Sequence, residues 1–367
     1  MSFWNKKIFD FVGTASGLDI GDLCIRIVQI EKEGKKDRLI GYGSIPLEKG
    51  SVSDGEIEDE NQVVEKLKSL QRSTKLGKLK SKKVICSLPE TKAFLRIISM
   101  PKLEKKEIKE AIKWEIEANI PLTLDQVYYD WQVLDENIAG EKGKTSILVV
   151  AVARNTVDKF ISVIEKAGLE PVGFEVESIA QARSLINIEW EKKTVLIVDI
   201  DDRSTGILVS SKGIPCFTSS VPVSGQSITS AISKGLNVTF DEAEKIKNEN
   251  GIGSDFKNNN IFNSVNSVLE NLSSEIERSI NFYVSELSYS EDIDKIIICG
   301  KEATMKGLVP YLAKRLQKKV ELGNPWVNLF LGKNIPKIDR GESVRYSTVI
   351  GLAIKGINYE DIIRSSS

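Results

Sequence analysis

The sequence predicts an α/β fold of two sheet-based lobes around a cleft, with a strand–helix–strand–strand module inserted in the first lobe. Three observations predict it. The chain is 367 residues long, more than one compact core holds and enough for two or more domains. Short apolar, β-like runs alternate with segments of helical apolar spacing along its length. Two halves each open on a strand that ends in an acid, Leu18-Asp19-Ile20-Gly21 in the first and Val198-Asp199-Ile200-Asp201 in the second. This is an echo rather than a repeat of fixed period, as a duplicated sheet domain produces.

The elements follow in order. Leu18 to Ile30 reads as one strand, with Gly17 and Gly21 as early punctuation and Ile25, Ile27 and Val28 facing inward. Arg38–Pro46 is β-like, and SDGEIEDE is an acidic turn. Asn61–Leu70 carries Val63, Val64, Leu67 and Leu70 at helical spacing. A Lys-rich linker, KLGKLKSKK, leads to the strand Val84–Leu88, which Pro89 closes.

Residues 94–168 read as a unit of their own. Phe94–Ser99 is a strand. Glu104–Asn119 is a helix with Ile108, Ala111, Ile112 and Ile116 on one face, ended by Pro121. Val127–Leu134 and Ser146–Ala153 are strands flanking the turn ENIAGEKGK, and Asn155–Ala167 is a helix stopped by Gly168.

The second lobe begins at Thr194 with the strand Thr194–Ile200, followed by strands Gly206–Ser210 and Ile214–Ser219. Helices over Gly225–Leu236, Asp241–Asn250 and Val265–Leu287 come next, with a loop at GIGSDFKNNN. The strand Asp294–Cys299 stops at Gly300; helix Leu308–Gln317 and a last helix near Val349–Gly356 follow. The expected domains are 13–93 with the connecting stretch 169–193 and a returning C-terminal helix at 346–367, the insert 94–168, and the second lobe 194–345 with a smaller subdomain near 225–272.

Composition excludes several functions. Hydrophobic residues make up 41% and charged residues 28%, so the chain is globular. Fifty-one Lys and Arg face 52 Asp and Glu, which gives no general pull toward nucleic acid or an anionic bilayer. There is no histidine, so Ser-His-Asp and Cys-His nucleophiles and His-ligated metals are ruled out. Cys24, Cys86, Cys216 and Cys299 lie apart, each in or beside a β-like run, and read as small core residues. The longest unbroken apolar run, Ile147–Ala153, falls far short of the roughly 20 residues of a membrane helix. The opening MSFWNKKIFDFV reads as a docked tail or a weak interfacial helix, and the chain as cytoplasmic.

An acid two residues before a glycine at a strand's end has a chemical use. The carboxylate can hold a hydrated magnesium ion, and the glycine lets backbone N–H groups approach a phosphate. Alone the pattern is a common turn. Its setting here, GLDIGDLCIRIVQI followed by VDIDDRSTG, FEVESIAQARSL, GQSIT, EIERSINFY and IIICGKEATMKGL, resembles the actin-like ATPase family, which shares the ribonuclease H-like two-lobed fold, and within it the PilM and FtsA branch. KWEIEANIP, YYDWQVL, ILVVAVARNTVDKF, AGLEPVGFEVES and DEAEKIK extend that resemblance over almost the whole chain.

The resemblance implies ATP and magnesium as cofactors. Asp19, Gly21 and Arg26 would form the first phosphate loop, and Asp199 and Thr205 the second. Asp19 and Asp199 would hold magnesium through water, and Glu177 would be the catalytic acid of the cleft. Gly225 would lie by the ribose, Glu275 and Arg278 around the nucleoside, and Gly300 at the adenosine turn. The sequence departs from the family pattern at several of these places. Asp22, Leu23 and Cys24 replace small hydroxyl residues, Asp201 and the pair Lys301 and Glu302 replace glycines, and Arg26 replaces lysine. These departures imply weakened nucleotide binding and little ATPase activity.

The function implied is that of a type IV pilus assembly scaffold capturing the cytoplasmic N-terminal peptide of a PilN-like inner-membrane protein. The contact would lie in a groove involving the insert, at the inner face of the cytoplasmic membrane. Trp114, on the face of its helix away from the Ile stripe, either packs on the adjoining lobe or anchors a partner. The rival readings are a slow ATPase that powers assembly and a division or type II secretion scaffold. The ending NYEDIIRSSS argues against a membrane-anchored division protein.

Overall fold

The structure, a computed structural model, describes residues 14–102, 105–120, 122–134, 144–253, 260–285, 292–331 and 338–366. The aromatic N-terminal segment, nearly all of ENIAGEKGK and most of GIGSDFKNNN lie outside them. The chain forms two units, one running to Arg183, taking in the short stretch Leu329–Pro336 and resuming from Thr348, the other holding Ser184–Asn328 and Lys337–Ser347.

The first unit opens with β1 (Ser16–Ile20), β2 (Cys24–Glu33) and β3 (Lys36–Pro46), an antiparallel meander. The run expected as a single strand over Leu18–Ile30 is thus a hairpin. Gly21 N–H donates to the Cys24 carbonyl at 3.1 Å and closes the turn. Both arms are apolar, so only Gly21-Asp22 marks the break. β4 (Val52–Ser53) and β5 (Glu56–Ile57) form a small hairpin with Asp54 and Gly55 at φ of 51° and 74°, the sign a tight two-residue turn requires. α1 (Glu60–Arg72) is capped by Asp59, whose carboxylate accepts the Gln62 N–H, and it buries Val63, Val64, Leu67 and Leu70.

β6 (Lys83–Leu88) returns parallel to β1. β7 (Ala93–Pro101), α2 (Lys105–Asn119), β8 (Val127–Val133) and β9 (Lys144–Ala153) form the insert, with strand order β7-β9-β8. Its own core sets Ile108, Ile112 and Ile116 of α2 against Ile147 and Val149 of β9. α3 (Arg154–Lys166) does not join that core. Its Val157, Phe160, Val163 and Ile164 pack with Leu67 of α1 and with the first sheet. α3, expected within the insert 94–168, thus turns its apolar stripe to the first sheet, and the insert's own core ends with β9. β10 (Glu170–Val176) pairs parallel with β6, and α4 (Glu177–Leu185) follows it.

The second unit repeats the plan. β11 (Thr194–Ile200), β12 (Thr205–Ser211) and β13 (Ile214–Val221) are again an antiparallel meander. α5 (Gly225–Leu236), α6 (Phe240–Asn250) and α7 (Asn260–Ser285) precede β14 (Lys295–Cys299), which lies parallel to β11. α8 (Leu308–Leu316), β15 (Val320–Leu322) and the short α9 (Arg340–Ser343) complete it. The strand orders β3-β2-β1-β6-β10 and β13-β12-β11-β14-β15 are the same topology, a meander followed by two parallel strands. The paired Leu18-Asp19 and Val198-Asp199 motifs thus end equivalent strands.

α10 (Ser347–Ser366) carries the chain back into the first unit. There Arg183 of α4 donates to the Gly351 carbonyl at 3.2 Å and, bidentate, to Glu175 of β10, which Lys355 of α10 also reaches at 2.9 Å. Burial pushes the Glu175 carboxyl up, but the two cations outweigh it and hold it at about 2. Cys86, Cys216 and Cys299 are buried, while Cys24, at the start of β2, is partly exposed. Among the described residues no helix is long and apolar enough to cross a membrane.

Candidate functional site

In the first unit the β1–β2 register sets Asp19 opposite Arg26, and the guanidinium donates to the carboxylate at 3.3 Å. Ser87 of the neighbouring β6 donates to the other Asp19 oxygen at 2.8 Å. Asp19 is buried, so these bonds replace water around its charge. Glu177 begins α4, and its carboxylate accepts the Glu90 N–H at 3.3 Å. Burial pushes the Cys86 thiol well up, and the negative charges of Asp19 and Glu177 add to that, so both acids act on one spot beside β6. Asp19, Arg26 and Glu177 therefore share one end of the first sheet.

The expected first phosphate loop is committed elsewhere. The Gly21 N–H is taken by the Cys24 carbonyl. The Asp22 carboxylate accepts the N–H groups of Asp54 and Gly55 at 2.9 and 3.0 Å, tying the loop to the β4–β5 turn. An acid at this position, read from the sequence as a departure, is thus a structural clasp.

In the second unit Asp199 sits on β11 opposite Gly206 and beside Cys299 of β14. Gly300 follows β14 at a φ of 87°, and a Cβ there would clash with the Asp199 carboxylate and the Ile200 carbonyl. The glycine is required by both conformation and space. Thr205, expected at the phosphate, is fully buried and donates its hydroxyl to the Val223 carbonyl at 2.6 Å.

α5 begins at the carboxyl ends of β11 and β14, where α/β sheets commonly take anions. Its first N–H groups are already used. Gly225 donates to the Asp201 carbonyl at 2.9 Å and Gln226 to the Asp202 carbonyl at 3.0 Å, while Ser227 donates to the Ser224 hydroxyl at 3.3 Å. A Cβ on Gly225 would run into the Glu302 carboxylate, which fills that space.

Around Gly225 lies a network of six charged side chains that sequence reasoning did not assemble. Lys247 of α6, only 1% exposed, reaches Glu302 and Glu244 at 2.9 Å each and the Gly225 carbonyl at 3.4 Å. Lys301 reaches Asp202 at 2.6 Å and Glu244 at 3.1 Å, and its N–H donates to the Asp201 carboxylate at 3.0 Å. Oxygens of Asp202, Glu244 and Glu302 lie within 4.8 Å of one another, but two ammonium groups already bridge them.

Burial raises the Glu302 carboxyl against the pull of Lys247 and Lys301. Burial also acts to raise Glu244, but Thr229, Lys247 and Lys301 outweigh it and hold it at about 2. The available signal was Lys247, which follows the buried Ala243 at helical spacing on the inner stripe of α6, with Glu244 one turn before it.

Glu275 and Arg278, expected around the nucleoside, pair with each other at 2.9 Å on the surface of α7, and Arg278 is well exposed. In this unit the first amides of α5 and both lysines are bonded to protein partners. The donors at the head of α5 are thus committed to groups of the chain itself.

The sequence matches the model of the family described as type IV pilus assembly protein PilM over residues 17–357. Its fold is similar to the solved PilM-PilN type IV pilus biogenesis complex, with a TM-score of 0.79 and 24% identity over 94% of this chain and 99% of that one. It is also similar to MreB5 of Spiroplasma citri bound to ADP, with a TM-score of 0.53 and 14% identity over 96% and 97% of the chains. Among curated proteins, cell division protein FtsA of Bacillus subtilis is 21% identical over 84% of this chain and 78% of its own length. The fold is actin-like.

Proposed function

Because the chain belongs to the type IV pilus assembly protein PilM family, we propose that it is a scaffold that holds the cytoplasmic N-terminal peptide of a PilN-like inner-membrane protein. The observation carrying this reading is the family match over residues 17–357, to which the likeness to a solved PilM-PilN complex adds support. In this reading the scaffold sits at the inner face of the cytoplasmic membrane, as a peripheral protein. The insert offers a suitable surface. β7 and β8 are the outer strands of its sheet, where an extended peptide can add backbone hydrogen bonds. Trp114 of α2 is 72% exposed, on a helix whose Ile108, Ile112 and Ile116 form the insert's own core, as an aromatic anchor would be. Capture in this reading requires neither ATP nor magnesium.

The test is calorimetric titration of the full chain with synthetic N-terminal tails of PilN-like inner-membrane proteins from the same organism. One tail should bind saturably, and Trp114→Ala should weaken that binding about tenfold or more with an unchanged melting temperature. If no tail binds, the scaffold reading fails.

A further inference from the structure

We infer that the second unit is self-liganded: Lys247, Lys301 and Glu302 occupy the anion-binding end of its sheet, and the unit takes up no adenine nucleotide there. Three independent observations carry this. The N-terminus of α5, a twelve-residue helix, is the element that would cradle a phosphate, yet its Gly225, Gln226 and Ser227 amides all donate to Asp201, Asp202 and Ser224. The space against Gly225, where the missing side chain would let a ligand approach, holds the Glu302 carboxylate. The two cations that would meet a polyphosphate are committed, Lys247 to Glu244 and Glu302 and Lys301 to Asp202 and Glu244.

A nucleotide entering here would have to part Glu302 from a lysine that is 1% exposed. It would also bring its negative charge to Asp201, Asp202 and Glu244. The same contacts join α6 to the turns after β11 and β14, so the network fastens the unit internally. The fastening is made by the chain's own side chains, where a bound nucleotide would make it conditional. This inference does not rest on peptide capture, and failure of that reading leaves it standing.

The test uses the full chain with ATP-magnesium and ADP-magnesium as probes, followed by calorimetry and by thermal melting. The expected result is no saturable heat and no change in melting temperature at millimolar nucleotide. A saturable heat, or a melting temperature that rises with nucleotide concentration, overturns the inference. A second measurement tests the fastening itself. Lys301→Met keeps the backbone bond to Asp201 and removes only the ammonium, and it should lower the melting temperature by several degrees. An unchanged melting temperature would show that the network fastens nothing, and the inference would fail on that ground.

Discussion

Lys247 brings a full charge into the interior of the second unit, and such a charge persists only where partners replace its water. Glu302 and Glu244 do so at 2.9 Å each. Lys247→Met would leave Glu302 buried beside other acids, and removing one member of a buried pair costs about 3–5 kcal/mol. Denaturant unfolding measures that loss. Its pH dependence has a definite sign. Glu302 already titrates above the ordinary value of 4.5, and loss of Lys247 raises it further. A carboxyl raised in the folded state binds protons more readily than in the unfolded chain, so the variant should regain stability as pH falls from neutral toward 5. At Gly300 the demand is steric. Gly300→Ala places a side chain at a φ of 87° and against Asp199, and should cost about 1–3 kcal/mol or more.

At the scale of elements, the clamp among β10, α4 and α10 makes the acid limb of stability predictable. Glu175 has its carboxyl held at about 2 against an ordinary 4.5. Its contribution is complete above about 4.5 and is lost as pH falls toward 2, amounting to about 3 kcal/mol. Glu175→Gln should therefore lower the melting temperature at neutral pH and flatten its fall over that interval. Several elements were legible before the structure because their apolar residues keep a single period, as in α1, α5 and β11. Others were hidden by chemistry that interrupts the period. β10 contains Pro171 and Gly173 around an irregularity in its pairing with β6, so it reads as a connector. β1 and β2 read as one strand because both arms are apolar. Sequence order sets α3 with the insert, whereas the direction of its Phe160 stripe decides its core.

For the molecule as a whole, the two units share one strand order, and each has a core that does not depend on the other's strands. A fragment spanning Ser184–Ser347 with a flexible linker in place of Leu329–Pro336, which belongs to the first unit, should therefore melt cooperatively by circular dichroism, and a fragment lacking any transition would count against independent units. The acid pair Asp19 and Asp199 announced that duplication in the sequence, since each ends the middle strand of its sheet. The candidate site was less legible. The family resemblance drew attention to Gly225 and Gly300, but the groups that fill their surroundings come from β11, from α6 and from the turns after β11 and β14, a joining of distant residues that no local pattern encodes.

The distribution of thiols gives the chain a native handle for spectroscopy. Sulfur at Cys86, Cys216 and Cys299 is enclosed, and at Cys86 and Cys299 burial and nearby acids also suppress the reactive thiolate. A maleimide dye in limiting amount would settle first on Cys24, beside the turn that ends in Asp22. Its fluorescence would then watch that turn in the unmutated protein as a membrane partner arrives.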